Sequence, residues 1–165
     1  IAHTVIITSE MAQVMDKTAA EHNHEHGLDV RINLALARQF TATDYVISQR
    51  IRTRIINHFN SAFAQVDVIL TPTTGLAAPQ INKSALPDGE SDLTTLVEIM
   101  RFVTAGNMTG LPAISFPVGY THKGLPIGMQ AMTRAWDEAT ALRMALAAEQ
   151  VVERRAPQVQ FRLLE

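Results

Sequence analysis

The chain has no cysteine, so it forms no disulfide, holds no zinc–thiolate centre and offers no thiol nucleophile, and its redox compartment stays open. Lysine is almost as scarce. Only Lys17, Lys83 and Lys123 occur, each on an expected helix face or loop, without the burial that a lysine base needs to lose its proton. No apolar run is long enough to span a bilayer, and no glycine-rich phosphate loop is present. The net charge of −2 gives no field that would gather nucleic acid or an anionic membrane. What remains is an ordinary globular composition, 47% hydrophobic and 18% charged, in 165 residues, enough for one domain with a real core. Ile1 stands first, and helical periodicity begins at once with no capping residue ahead of it. That start reads as a chain cut within a longer one.

Apolar spacing predicts a helix from His3 to about Ala20, with Ile7, Met11, Val14 and Met15 along it. Glu21 to Gly27 holds His22, His24 and His26. On a helix His22 and His26 would share a face, as zinc ligands can, but His24 would point elsewhere and no distant ligand presents itself. A solvated polar loop ended by Gly27 is the better reading, and no metal site is assigned. A short helix over Leu28–Arg38 follows. Thr41 or Thr43 then caps a long helix to about Phe63, with Ile47, Ile51, Ile55, Phe59 and Phe63 as its stripe. Arg50, Arg52 and Arg54 lie off that stripe with no aromatic between them, which favours a solvated face over a phosphate-binding one.

Asp67–Thr71 is a β-branched run and reads as a strand ended by Pro72. Thr73, Thr74, Gly75 and Leu76 come just past its C-terminal end, where open α/β sheets place their ligands. The plainer alternative is that both threonines only satisfy loop backbone groups. A long loop is expected over Ala77–Glu90. Ser91 or Asp92 then caps a helix carrying Leu96, Ile99, Met100 and Val103 and ending near Gly106, with Asn107 tying down the entry to the next strand.

Gly110-Leu-Pro and Gly124-Leu-Pro each open an apolar run, Ala113–Val118 and Ile127–Met132, and read as two strands buried on both faces at the centre of a sheet. Asp137 and Glu138 open a last helix with Ala139, Leu142, Leu146 and Val152 as its apolar side. Arg154 and Arg155 close it, and Pro157 stops it. Val159, Phe161 and Leu163 alternate as an edge strand would. The element pattern is α/β.

Catalytic chemistry is missing from this pattern. Ser115 lacks the flanking glycines of a nucleophile elbow and falls inside a strand rather than on a strained turn. No serine stands at suggestive spacing from a lysine, and the carboxylates are dispersed over helix ends and loops.

Two segments carry a resemblance. Gly110-Leu-Pro-Ala-Ile-Ser-Phe-Pro-Val-Gly119 with Gly124-Leu-Pro-Ile-Gly-Met-Gln130, and upstream Val66-Asp-Val-Ile-Leu-Thr-Pro-Thr-Thr-Gly75, resemble late motifs of the amidase signature family, most of all its plant-type fatty acid amide hydrolase branch. The similarity runs from about Gln39 to Glu149 and covers the C-terminal part of a family member. It implies a mixed sheet flanked by helices, incomplete in this chain alone. It also implies a serine amidase acting on carboxylic, here fatty-acyl, amides through an acyl-enzyme. The serine–serine–lysine triad of such enzymes would lie upstream, so no catalytic residue is assigned. Thr73, Thr74 and Leu76 are expected to line the acyl channel, and the Gly-Leu-Pro strands to be scaffold. No cofactor is implied. The expected partner is a small amide substrate, a homodimer is left open, and the enzyme would be intracellular, with any membrane attachment made outside these residues. Phe116 stands where the family more often has valine, so a neighbour should be small. The alternatives are a non-catalytic α/β binding module and the glutamine-hydrolysing component of an amidotransferase. The second needs a polar pocket, and Leu76 beside Gly75 argues for an apolar one.

Overall fold

The structure is a computed structural model that describes residues 1–80 and 92–155. The connection expected over Ala77–Glu90 lies outside the described residues from 81 onward, and so does the expected edge strand with Val159, Phe161 and Leu163.

In chain order come α1 (Ala2–His22), a 3-10 turn (Asn23–Glu25), α2 (Leu28–Ala37), α3 (Ala42–Phe63), β1 (Val68–Pro72), α4 (Leu93–Ile99), a second 3-10 turn (Met100–Phe102), α5 (Thr104–Thr109), β2 (Ala113–Tyr120), β3 (Pro126–Thr133) and α6 (Glu138–Val151). The start of α3 is fixed by a capping box. The Asp44 amide donates to Thr41 Oγ1 at 3.2 Å, and the Thr41 amide donates to Asp44 Oδ2 at 2.8 Å. The Thr41 hydroxyl, which donates to Asp44 Oδ2 at 2.7 Å, and then the Thr41 amide hold the Asp44 carboxyl below its ordinary range. Asp92 caps α4 with its carboxylate, which accepts from the Thr95 amide and hydroxyl; the amide first and then the hydroxyl lower its pKa.

The three strands pair antiparallel in the order β1-β3-β2. One sheet face carries Phe116 and Ala131, which cluster with Ala148 of α6, with Val68, Ile114, Met129, Met144 and Ala145 packed around them. Three of the side chains in this cluster, Ala131, Ala145 and Ala148, are small, while Met129 is the cross-strand partner of Phe116. The opposite face carries Thr71, Gln130 and Met132 and is covered by the second 3-10 turn and α5: Gln130 bonds the Phe102 carbonyl, and Met132 lies against Gly106. Covered on both sides, β3 is buried over Gln130–Thr133. Burial on both faces holds there and fails for β2, which is a sheet edge among the described residues and exposes Ala113, Ser115, Pro117 and Val118.

Several stripes are phased differently from expectation. In α1 the buried side chains are His3, Val5, Ile6, Thr8 and Ala19, while Ile7 and Val14 face out. In α3, Ser48 and Phe63 are buried and Ile47 and Ile51 are exposed. In α6, alanines 141 and 148 meet the core and Leu142 and Leu146 are exposed. In α6, and at Ser48 of α3, small residues let the helix sit close, so the interface there follows Ala and Ser rather than the largest side chains. Arg52 is not a solvated cation: its Nε donates to the Met108 carbonyl at 2.7 Å and joins α3 to α5. Asn107 ties α5 to α1 instead of to β2, with its Nδ2 3.0 Å from His3 Nε2.

The helix expected to run unbroken to Gly106 is interrupted. Two carbonyls are drawn sideways: Ile99 accepts from the Gly75 amide at 3.3 Å, and Phe102 accepts from Gln130 Nε2 at 2.9 Å. Between them the chain tightens, and the Val103 amide bonds the Met100 carbonyl at 3.2 Å. α5 then ends on Gly110 at φ 69°, the left-handed cap that glycine supplies.

Candidate functional site

The segment after β1 is held from two sides. On the sheet side the Thr73 amide donates to the Gly128 carbonyl at 2.9 Å, so the chain stays in register with β3 one residue beyond the strand. Thr73 Oγ1 lies 2.6 Å from Ser115 Oγ on β2. The two hydroxyls reach across the central strand because Gly128 has no side chain. A Cβ there would stand 2.9 Å from Thr73 Oγ1 and 3.2 Å from Thr73 Cβ. On the helix side the Gly75 amide meets the Ile99 carbonyl, and Gly75 lies so close to the Glu98 carbonyl that any Cβ would collide with it.

These contacts separate the three expected site residues. Thr74 Oγ1 donates to the Leu76 carbonyl at 2.7 Å, which is the local backbone role open to any threonine. Thr73 bonds another side chain across the sheet. Leu76 leaves its side chain 43% exposed, an apolar group in the open next to a backbone that is pinned. The loop is therefore a fixed ledge with an apolar edge, at the C-terminal end of β1.

Sequence reasoning passed over Gln130, whose carboxamide is buried between β1 and the second 3-10 turn. Its signal was present: a lone amide in an otherwise apolar strand, Ile127–Met132.

Ser115 lies mid-strand, and its hydrogen bond goes to a hydroxyl rather than to a base. Lys17 and Lys123 are exposed. His22 Nδ1 pairs with Glu25 Oε1 at 2.9 Å, and no group of three or more His, Asp or Glu suited to a metal occurs among the described residues. A shallow groove of about 420 Å³ runs between β2 and α6, lined by Ile114, Phe116, Pro117, Leu142 and Leu146. It lies on the α6 side of the sheet and includes neither Thr73, Thr74 nor Leu76. No helix among the described residues is long and apolar enough to cross a membrane.

The sequence profile of the Amidase family matches residues 3–142. The fatty acid amide hydrolase of Oryza sativa subsp. indica is 50% identical over 151 residues, covering 91% of this chain and 25% of that protein. A glutamyl-tRNA(Gln) amidotransferase component from Brevibacillus brevis is 42% identical over 116 residues, 70% of this chain and 23% of that protein. A crystal structure of an amidase superposes with a TM-score of 0.79 at 21% identity, over 92% of this chain and 35% of that one, which shows a shared fold. The chain thus spans about a quarter of the length of the curated relatives it matches.

Proposed function

The chain belongs to the amidase signature family, and from that premise we propose that residues 1–165 form the C-terminal part of a single amidase domain that hydrolyses fatty-acyl amides. The reacting serine, bridging serine and lysine base come from outside these residues. The serine takes the acyl group, and water releases the acid. This chain supplies scaffold, through β2 and β3, and one wall of the acyl channel, through Thr73, Thr74 and Leu76. A wall of this kind works by holding the chain of the substrate so that its carbonyl meets the nucleophile.

One observation carries the proposal: Leu76 presents an apolar side chain from a ledge whose backbone is tied to both β3 and α4. A rigid apolar ledge suits an acyl chain and would leave a polar amide such as glutamine unpaired. The amidotransferase reading draws on the likeness to the Brevibacillus protein, which is shorter and lower in identity than the likeness to the fatty acid amide hydrolase of rice.

The experiment is Leu76→Asp in the full-length enzyme, assayed with a long-chain and a short-chain acyl amide of the same amine. The ratio of kcat/KM, long over short, is expected to fall by about tenfold or more, the cost of a carboxylate in an apolar channel. An unchanged ratio removes Leu76 from the channel. The chain by itself is expected to turn over neither N-acylethanolamines nor aryl amides.

A further inference from the structure

The carboxamide of Gln130 is buried in the central strand, where β1 ends and the second 3-10 turn passes over the sheet. Its Nε2 stands 2.9 Å from Thr71 Oγ1, 2.9 Å from the Phe102 carbonyl and 3.4 Å from the Pro72 carbonyl. Two of these partners are carbonyl oxygens, which only accept, so the nitrogen and not the oxygen of the amide must face them. The Thr71 hydroxyl donates to the Pro72 carbonyl at 3.1 Å, which leaves its lone pairs to Gln130. One NH2 group therefore joins the last two residues of β1 to the turn that follows α4.

Thr73 begins where those bonds end. The Gly75 amide, two residues on, is bonded to Ile99 of the same helical segment. The ledge is thus fixed by two crosslinks to one partner, Pro72 through Gln130 to Phe102, and Gly75 to Ile99. We propose that Gln130 is a positioning residue for the substrate channel, fixing how the Thr73–Leu76 ledge is seated against the Met100–Phe102 turn, and through that placement the preference for acyl-chain length. The inference rests on the reading of Thr73–Leu76 as channel wall. Gln130 touches no substrate; it acts through the two backbone segments it holds.

The test uses the full-length enzyme and the long-over-short ratio of kcat/KM, which does not depend on how much of a preparation is correctly folded. Gln130→Met keeps the length of the side chain and removes both donors. It is expected to lower the ratio by about tenfold, since a buried carbonyl loses its partner and the turn shifts. Thr71→Val removes one of the three acceptors with little change in shape and is expected to move the ratio in the same direction, so the inference stays testable if Gln130→Met does not fold. Gln130→Glu puts oxygen where a donor is required. Its ratio is expected to be low at neutral pH and to recover as the carboxyl is protonated and regains an O–H, a rescue that simple loss of stability would not give. If Gln130→Met and Thr71→Val leave the ratio unchanged while Leu76→Asp lowers it, the inference is overturned and the channel wall stands. If Leu76→Asp also leaves it unchanged, the wall falls and the inference with it.

Discussion

Thr73 Oγ1 and Ser115 Oγ meet at 2.6 Å across the backbone of Gly128, joining the two outer strands over the central one. The bond binds the start of the candidate ledge to the far edge of the sheet. A double-mutant cycle with Thr73→Val and Ser115→Ala is expected to show a coupling of about 0.5–1.5 kcal/mol in chemical denaturation. Gly128→Ala forces Thr73 aside by its Cβ as well as its hydroxyl, and is expected to cost about 1–3 kcal/mol and abolish that coupling. Strict additivity of the two substitutions would mean that the hydroxyls do not interact.

Gly75 tolerates no side chain, because the obstacle is the Glu98 backbone rather than a movable group. Gly75→Ala is expected to separate the ledge from α4, losing the bond to Ile99 and about 2 kcal/mol or more of stability. Hydrogen exchange at residue 75 checks this directly. Protection equal to that of the parent would contradict the close approach.

Arg134 closes the corner between α3 and β1. Its Nε and Nη2 donate to the Phe63 carbonyl at 3.1 and 2.7 Å, Nη2 also to the Val66 carbonyl at 3.0 Å, and Nη1 to Asp67 Oδ1 at 2.9 Å. Lysine cannot reproduce that fork, so Arg134→Lys is expected to cost about 1–2 kcal/mol, nearly as much as Arg134→Met. Asp67→Asn is expected to cost less than about 0.5 kcal/mol, since the Asp67 carboxylate is mostly exposed.

His3 is buried in α1 and accepts from Asn107 Nδ2 on α5. Burial holds its pKa below the ordinary 6.5. The unfolded chain therefore takes up the proton first. The stability this gives is fully present above about 6.5 and is lost as pH falls through the lowered value. Melting temperature is expected to fall more steeply from about pH 7 to about pH 5 in the parent than in a His3→Gln variant. Parallel curves would contradict the assignment.

How far the sequence could be read follows from the scale of the signal. The caps at Thr41, Asp92 and Asp137 were local chemistry and were legible, as were the strands opened by the two Gly-Leu-Pro segments. The faces of α3 and α6 were not, because spacing marks where large apolar groups recur and cannot say that an alanine or serine face packs instead; in α1 the buried set is Val5 and Ile6 with His3 and Thr8, a phase that Ile7, Met11, Val14 and Met15 did not mark. The break after Ile99 was invisible for a different reason. It is made by Gly75 and Gln130, far away in the chain, claiming two helix carbonyls. Thr73, Thr74 and Leu76 were singled out by the family resemblance, with their place after β1 in support, whereas Gln130, two strands later in the chain, could be weighted only once its three acceptors were seen.

The central claim is that these residues shape a reaction chamber whose reacting atoms lie elsewhere. The most direct measurement is to label the active full-length enzyme with a serine-reactive fluorophosphonate, digest it and locate the adduct by mass spectrometry. The account predicts an adduct on a serine outside residues 1–165, with Ser115 unlabelled. An adduct on Ser115, or on any other serine of this chain, formed in step with loss of activity, would contradict it.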